Sequence, residues 1–223
     1  MVANGLSAVR SAMASAAQRA GRNVADIDLV VVSKQRSDAE VLAVYDEGQR
    51  LFGENRQQAF KARIDAGLPG DIGWHFIGPL QSRKARYVAG HASLLESLDR
   101  ISLADRWVAA DGGPVLIQFN LAREPQKSGF DPAEAHKVLD AVLDAGAQVR
   151  GVMAIPPMSD DPRDSAPWFR MLRGIYDDFT QRNENIDVCS MGMTNDFEIA
   201  ILEGATTIRV GRAIFEGSKN RLD

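Results

Sequence analysis

The sequence predicts an α/β fold in which one (β/α)8 TIM-type barrel, preceded by an extra helix, spans residues 1–223 as a single domain. Eight short apolar runs alternate with helix-like segments, which is the chain order of such a barrel. Several runs are almost continuously apolar, as expected for parallel strands covered on both faces. An open doubly wound sheet is the alternative, but the sequence lacks the GxGxxG turn typical of that fold.

The first predicted element is an N-terminal helix. Apolar residues recur there at helical spacing, at Leu6, Val9, Met13 and Ala17. Gly21 then ends the run as a C-cap would. Residues 1–25 contain no acid, which is also typical of a transit peptide. We favour the helix because a strand begins directly after it.

The eight strands and their helices follow in order. The strands are predicted at 28–34, 51–55, 74–78, 94–99, 115–121, 149–155, 188–193 and 206–210. Among the helix starts, Ser37 with Glu40 forms a capping box. Asp131, Pro132 and Glu134 place a cap, a first-turn proline and an acid in the order that begins a helix.

Composition excludes several classes of protein. The chain has 26 Lys and Arg against 30 Asp and Glu, a net charge of −4, so nucleic-acid binding through bulk positive charge is not expected. No apolar run reaches the ~18–20 residues that span a membrane. One cysteine and three histidines make a disulfide or a structural metal site unexpected and favour a reducing, cytoplasmic compartment.

Active sites of such barrels lie at the carboxyl ends of the strands, where Lys34 is the sharpest candidate. It closes the apolar run of the first strand, so its amine is expected at the barrel mouth. A lysine amine held away from water is a nucleophile that forms Schiff bases with aldehydes. A solvated or ion-paired lysine at a strand end explains the same position.

The last two strands carry a second signal. Ser190, Gly192 and Thr194 follow strand 7, and Gly211 and Arg212 follow strand 8. Barrels often bind phosphate at these two loops, where glycine lets backbone amides approach the anion. Two ordinary tight turns are the alternative.

A lysine on the first strand facing a phosphate site suggests a phosphorylated aldehyde, pyridoxal 5′-phosphate (PLP). Arg209 lies two residues before Gly211 on the same strand, so its side chain points to the same side. It is placed to donate to the pyridine nitrogen. An ion pair lining the barrel is the alternative for Arg209.

Seven motifs together resemble one family. They are VVSKQRS at 31–37, FGENRQQ at 52–58, WHFIGPLQSRKAR at 74–86, KSGF at 127–130, GVMAIP at 151–156, SMGMTNDFEIAI at 190–201 and RVGRAIF at 209–215. The chain resembles the pyridoxal phosphate homeostasis protein family, relatives of the alanine racemase barrel domain. The resemblance implies a PLP fold type III-like barrel with PLP held as a Schiff base on Lys34.

The resemblance also implies the surroundings of PLP. Ser190 and the backbone around Gly211 and Arg212 would contact the phosphate, and Arg209 would face the pyridine nitrogen. Asn55, His75 and Met153 would lie around the ring. The complete predicted cofactor-binding set is Lys34, Asn55, His75, Met153, Ser190, Gly192, Met193, Arg209, Gly211 and Arg212, with no catalytic residue and no metal ligand.

The chain departs from the family at the end of its last motif. Arg212 stands where the family usually has Thr or Ser, and Glu216 stands where it usually has Gly. We expect the guanidinium of Arg212 to point outward to Glu216, at position i+4, and to leave only its amide for phosphate. A guanidinium that replaces the missing hydroxyl at the phosphate is the alternative.

Two function classes compete. The first, which we favour, is a PLP-binding protein of intracellular PLP (vitamin B6) homeostasis that does not turn over a substrate. The alternative is an enzyme, either a racemase-like PLP enzyme acting on amino acids or a lysine Schiff-base aldolase. A racemase needs acid–base groups on both faces of the substrate, and the sequence predicts no C-terminal β domain to supply the second. An arginine at the ring nitrogen also weakens the electron sink of PLP. A scaffold with a vestigial site is a third class.

The expected partners follow from the favoured class. They are PLP itself and apo forms of PLP-dependent enzymes as candidate recipients, with no nucleic acid and no membrane. We expect a monomer.

Overall fold

The computed structural model describes residues 2–216, and these form a closed barrel of eight parallel strands in chain order. The strands are β1 (Asp28–Val32), β2 (Leu51–Glu54), β3 (Gly73–Phe76), β4 (Leu94–Leu98), β5 (Val115–Phe119), β6 (Val149–Ala154), β7 (Val188–Ser190) and β8 (Thr207–Val210). The barrel prediction is therefore confirmed, and the open sheet is excluded. The charged segment SKNRLD at 218–223, which the sequence predicts to be solvated, lies outside the described residues.

Helices surround the barrel and cover its outer face. They are α1 (Val2–Arg19), α2 (Asp38–Asp46), α3 (Gln57–Asp65), α4 (Ala85–Ala89), α5 (Ile101–Val108), α6 (Ala135–Asp144), α7 (Ala166–Arg182), α8 (Phe197–Leu202) and α9 (Arg212–Phe215). Large side chains such as Phe52, Phe76 and Phe119 point outward from the strands into the core between barrel and helices. No helix within residues 2–216 is long and apolar enough to cross a membrane.

The extra N-terminal helix is confirmed as α1. Its predicted apolar stripe is buried and packs toward α8 and α9. A Cβ on Gly5 would lie 2.1 Å from the carbonyl oxygen of Ile214, so only glycine allows this approach of α1 to α9. The N-terminal helix therefore packs directly against the element that follows the last strand.

Both predicted helix starts are confirmed. The hydroxyl of Ser37 accepts a hydrogen bond from the Glu40 amide at 3.3 Å, while the Glu40 carboxylate accepts the Ser37 amide at 2.7 Å. The Asp131 carboxylate accepts the Ala133 amide at 2.9 Å and begins a 3-10 turn that continues into α6. These caps satisfy backbone donors that the helices leave unpaired.

Several strands end earlier than the sequence suggested. The prediction carried the first strand to residue 34 and the seventh to residue 193, but β1 ends at Val32 and β7 at Ser190. Gln35 (φ 60°) and Gly192 (φ 92°) adopt left-handed backbone that a strand cannot continue through. Continuous apolar runs do not reveal such breaks, and the consequence is that Lys34 lies in a loop.

Closure of the barrel joins its first and last strands. β1 pairs with β8, with Val30 opposite Arg209 and Val31 opposite Val210. The loop after β1 and the turn after β8 are therefore neighbours at the carboxyl end of the barrel. The two regions that the sequence singled out, around Lys34 and around Gly211, meet at this seam.

Candidate functional site

A buried polar cluster crosses the barrel. Glu96 on β4 accepts hydrogen bonds from both sides of the barrel interior. Its Oε1 lies 2.6 Å from Nδ1 of His75 on β3, and its Oε2 accepts the hydroxyl of Ser190 on β7 at 2.7 Å. Nη1 of Arg209 on β8 lies 3.5 Å from Oε2 and also donates to the Ser190 hydroxyl. Three predicted site residues are thus joined through one carboxylate.

The charge of Glu96 is compensated inside the protein. Burial opposes its ionisation, but the hydrogen bond and charge of His75, the charge of Arg209 and the hydroxyl of Ser190 outweigh burial. The pKa of Glu96 therefore lies below its ordinary value. The cluster holds an ionised carboxylate at neutral pH.

Arg209 is held by backbone as well as by side chains. Its Nη2 donates to the carbonyl of Ala154 at 3.0 Å, and its own amide donates to the carbonyl of Gly192 at 3.0 Å. The ion pair with Glu96 is of the kind that the sequence left as the alternative role of Arg209, and its place beside a pyridine nitrogen stays a prediction. Its guanidinium is fixed in the barrel interior by three elements, β4, β6 and β7.

Lys34 lies in the loop between β1 and α2 and is exposed. The expectation that Lys34 closes the first strand and is held away from water is wrong, because β1 ends two residues earlier, at Val32. The buried residue at this point is Ser33. Any chemistry of Lys34 therefore depends on how its loop is held.

The turn after β8 packs onto the end of β1. A Cβ on Gly211 would lie 2.8 Å from the carbonyl oxygen of Val32, so this close approach requires glycine. α9 begins at the next residue, Arg212, which is exposed. The first amides of a helix have no acceptor within it, so they are free to meet a ligand. The close approach of Gly211 to Val32 places the turn after β8 beside the loop that carries Lys34.

The expected ion pair of Arg212 with Glu216 is not the one that forms. The Glu216 carboxylate pairs instead with Arg36, whose guanidinium lies 5.1 Å from the ring centroid of Phe215. Arg36 belongs to the loop that carries Lys34. Glu216, the departure from the family, thus ties that loop to α9.

The loop after β7 is shaped by packing. At Gly192 a Cβ would lie 2.5 Å from Cβ of Ala200 on α8, so glycine is required. The Met193 amide donates to the Asp196 carboxylate at 2.6 Å. Burial raises the pKa of Asp196, and the hydrogen bond from Met193 opposes this rise. The Met193 amide is therefore already used within the loop.

Two further predicted residues make no side-chain hydrogen bond within the polar cluster, although Met153 on β6 is paired in register with Ser190. Asn55 follows β2 and is half-buried, and its carbonyl oxygen is 2.1 Å from where a Cβ on Gly78 would stand. Met153 is buried in the barrel interior against Leu94 and Leu116. The predicted set is thus divided among the interior, the β1–β8 seam and the strand-end loops.

Glu96 is the main residue that sequence reasoning missed. It stands in the segment LLESLD at 94–99, as the charged residue of a strand that otherwise consists of leucine and one serine. Such a charge is almost never fully buried unless it is paired, and that was the available signal. No group of three or more His, Cys, Asp or Glu side chains suited to a metal ion occurs within residues 2–216.

Comparisons with known proteins agree on one family. A pyridoxal phosphate homeostasis protein of Aquifex aeolicus is 37% identical over 221 residues, covering 94% of this chain and 95% of its own length. PipY of Synechococcus elongatus, solved with PLP bound, is 32% identical and superposes with a TM-score of 0.81, covering 96% of this chain and 100% of PipY. No protein-family model matches the chain.

A more distant structure shares the fold alone. A lysine/ornithine decarboxylase of Vibrio vulnificus, 12% identical, superposes with a TM-score of 0.70 over 96% of this chain and 61% of the decarboxylase. The predicted PLP fold type III-like barrel is thereby confirmed. With a full-length relative at 37% identity, this chain belongs to the pyridoxal phosphate homeostasis protein family.

Proposed function

We propose that this protein binds PLP for intracellular PLP homeostasis and does not turn over a substrate. The observation that carries the proposal is the barrel seam, where the Lys34 loop adjoins the Gly211 turn above the buried guanidinium of Arg209. Membership of a family named for PLP homeostasis, and a 32% identical relative with PLP bound, support it.

The groups at the seam suit the chemistry of PLP. PLP supplies an aldehyde, with which a lysine amine condenses to a Schiff base as one water leaves. Among the lysines of residues 2–216, Lys34 is the one in a loop that follows a strand paired with β8. The first amides of α9, next to Gly211 and Arg212, are suited to the phosphate. A phosphate contact by Ser190 would require its hydroxyl to exchange Glu96 for phosphate.

The interior cluster suits the ring. Arginine does not lose its proton in proteins, so Arg209 would donate to the ring nitrogen and leave that nitrogen unprotonated. An unprotonated ring withdraws electrons weakly, which supports a holding role rather than catalysis. Asn55, His75 and Met153 are proposed to line the ring, with Gly192 and Met193 in the adjoining loop.

The compartment, the oligomeric state and the recipients of PLP are also part of the proposal. We infer that the protein passes PLP to apo enzymes, because the relatives are named for homeostasis and not for a reaction. The single cysteine of the sequence favours a cytoplasmic compartment, and we expect a monomer. One observation favours a second candidate, a racemase-like activity on amino acids. The His75–Glu96 pair is a buried acid–base pair of the kind that such an enzyme needs.

The proposal is tested by the absorption spectrum of the purified protein with PLP, followed by borohydride reduction and peptide mass mapping. The pyridoxyl group is expected on Lys34 and is expected to disappear in Lys34→Ala. Lys84→Ala and Lys127→Ala serve as matched controls and should retain the adduct. An adduct on another lysine, or none, would contradict the assignment.

The two candidate activities are separated by incubating the PLP-loaded protein with L-alanine in D2O. A homeostasis protein without turnover leaves the α-proton in place. Deuterium at the α-carbon that disappears in His75→Gln would favour the racemase-like activity.

A further inference from the structure

Arg63 reaches from α3 into the loop that carries Lys34. Its side chain is only 9% exposed, although it is a long charged residue. Nη2 donates to the carbonyl of Ser33 at 3.1 Å and also to the carbonyl of Arg36. One guanidinium therefore holds both ends of the short segment that contains Lys34 and Gln35.

That segment depends on such anchors. Lys34 is exposed, and Gln35 has φ 60°, a left-handed conformation that is unfavourable for a residue with a side chain. The Arg36 amide closes the turn by donating to the Ser33 carbonyl at 3.1 Å. A segment with unfavourable backbone keeps its course only where its surroundings enforce it.

Buried charge explains why Arg63 lies where it does. Glu54, at the end of β2, is fully buried, and its Oε1 accepts Nε of Arg63 at 3.2 Å. The same oxygen accepts the Ser33 hydroxyl at 2.9 Å, while Oε2 has no hydrogen-bond partner among residues 2–216. Asp38, the first residue of α2, also pairs with Arg63. The ion pairs orient Arg63, and the Ser33 hydroxyl gives the loop a second attachment.

We propose that Arg63 is a positioning residue for Lys34, acting through the carbonyls of Ser33 and Arg36. The inference rests on the proposed function, since it concerns how readily Lys34 joins PLP. Arg63 does not touch the proposed cofactor site. Its planar guanidinium donates to two carbonyls and pairs with two carboxylates at the same time. The single ammonium group of a lysine cannot make all four contacts.

A double-mutant cycle between Arg63→Lys and Lys34→Ala tests this role, with PLP affinity from fluorescence titration and the borohydride-trapped fraction as readouts. Arg63→Lys keeps a positive charge beside Glu54 but loses the fork. We expect it to weaken PLP binding roughly tenfold and to lower the trapped fraction. In the Lys34→Ala background, where no covalent link forms, it should change PLP affinity by less than about twofold.

Controls keep the experiment decisive. Arg50→Lys makes the same exchange at an exposed arginine and should leave PLP affinity unchanged. If Arg63→Lys does not fold, the double variant Glu54→Gln with Arg63→Gln removes both buried charges together and leaves no unpaired buried charge. The Asp38 carboxylate, which loses Arg63 as a partner, is half-exposed. This double variant then replaces Arg63→Lys in the double-mutant cycle with Lys34→Ala.

The outcomes separate the inference from the proposed function. An equal loss of PLP affinity in both backgrounds would show a general structural role and overturn the inference. Unchanged binding in Arg63→Lys would overturn it as well. If the unsubstituted protein forms no adduct on Lys34, the proposed function fails and the inference fails with it.

Discussion

Glu96 and Arg209 are 113 positions apart in the sequence, yet Oε2 of the glutamate lies 3.5 Å from Nη1 of the arginine inside the barrel. Both side chains are buried, and His75 and Ser190 complete the hydrogen bonding of the carboxylate. A buried charge pair is costly to break because the remaining partner is left without compensation. We therefore expect the stability of the protein to depend on this pair.

Replacing Glu96 by leucine should destabilise the fold strongly. Glu96→Leu leaves Arg209 buried without its carboxylate, which costs about 3–5 kcal/mol in free energy of unfolding. Glu96→Gln keeps the shape and part of the hydrogen bonding and should cost about 1–3 kcal/mol. Urea denaturation measures both. Glu134→Leu, at an exposed glutamate, should change the stability by less than about 1 kcal/mol. A loss below that of Glu134→Leu would contradict the role of Glu96.

The same carboxylate should make the stability sensitive to acid. The folded-state pKa of Glu96 is depressed, despite burial, by His75, Arg209 and Ser190. Its contribution is therefore fully present above the ordinary glutamate pKa and is lost as pH falls through the folded value. The free energy of unfolding should fall as the pH drops below the ordinary glutamate pKa, more steeply than in Glu96→Gln. Parallel curves for the two proteins would rule out this contribution.

Phosphate should account for much of the proposed PLP affinity. Losing one charge-assisted contact costs roughly 1.5–3 kcal/mol, or about ten- to a hundredfold in affinity. Pyridoxal, which lacks the phosphate, should therefore bind that much more weakly than PLP in a fluorescence titration. Equal affinity for the two ligands would remove the phosphate site at Gly211 and Arg212 from the proposal.

Arg212→Thr should leave PLP affinity unchanged or slightly improved. Arg212 is exposed, and Glu216, its expected partner, pairs with Arg36. Only the amide of Arg212 is then required at the phosphate, and a threonine keeps that amide. Titration of the variant with PLP gives the answer. A tenfold or larger loss would show that the guanidinium itself is a phosphate ligand.

Much of the fold followed from local pattern. The eight strands, α1 and the capping box at Ser37 were all predictable, because apolar periodicity and capping act over a few residues. Strand ends were less predictable, since the apolar runs continue into buried loop residues. Gln35 is an example: its backbone is left-handed, but glutamine is not a residue type that predicts this conformation.

The site was predictable in part. The placement of Arg209 on the barrel-facing side and the neighbouring turn at Gly211 followed from strand alternation and from the general position of phosphate sites in barrels. Glu96 and Arg63 were not found, because each acts on residues far away in sequence. Their partners become neighbours only when the barrel closes and α3 packs against β2, with Arg63 reaching the loop after β1.

By itself, the sequence determined which segments are strands and helices, that eight strand–helix units close into a barrel, and which family the motifs resemble. Tertiary structure alone decided that Lys34 is exposed in a loop held by Arg63, and that Glu96 joins His75 to Arg209. The physical reason is the distance along the sequence over which each interaction acts. Backbone propensity and burial patterns act between near neighbours, whereas the pairing of buried charges depends on which strands and helices closure brings together.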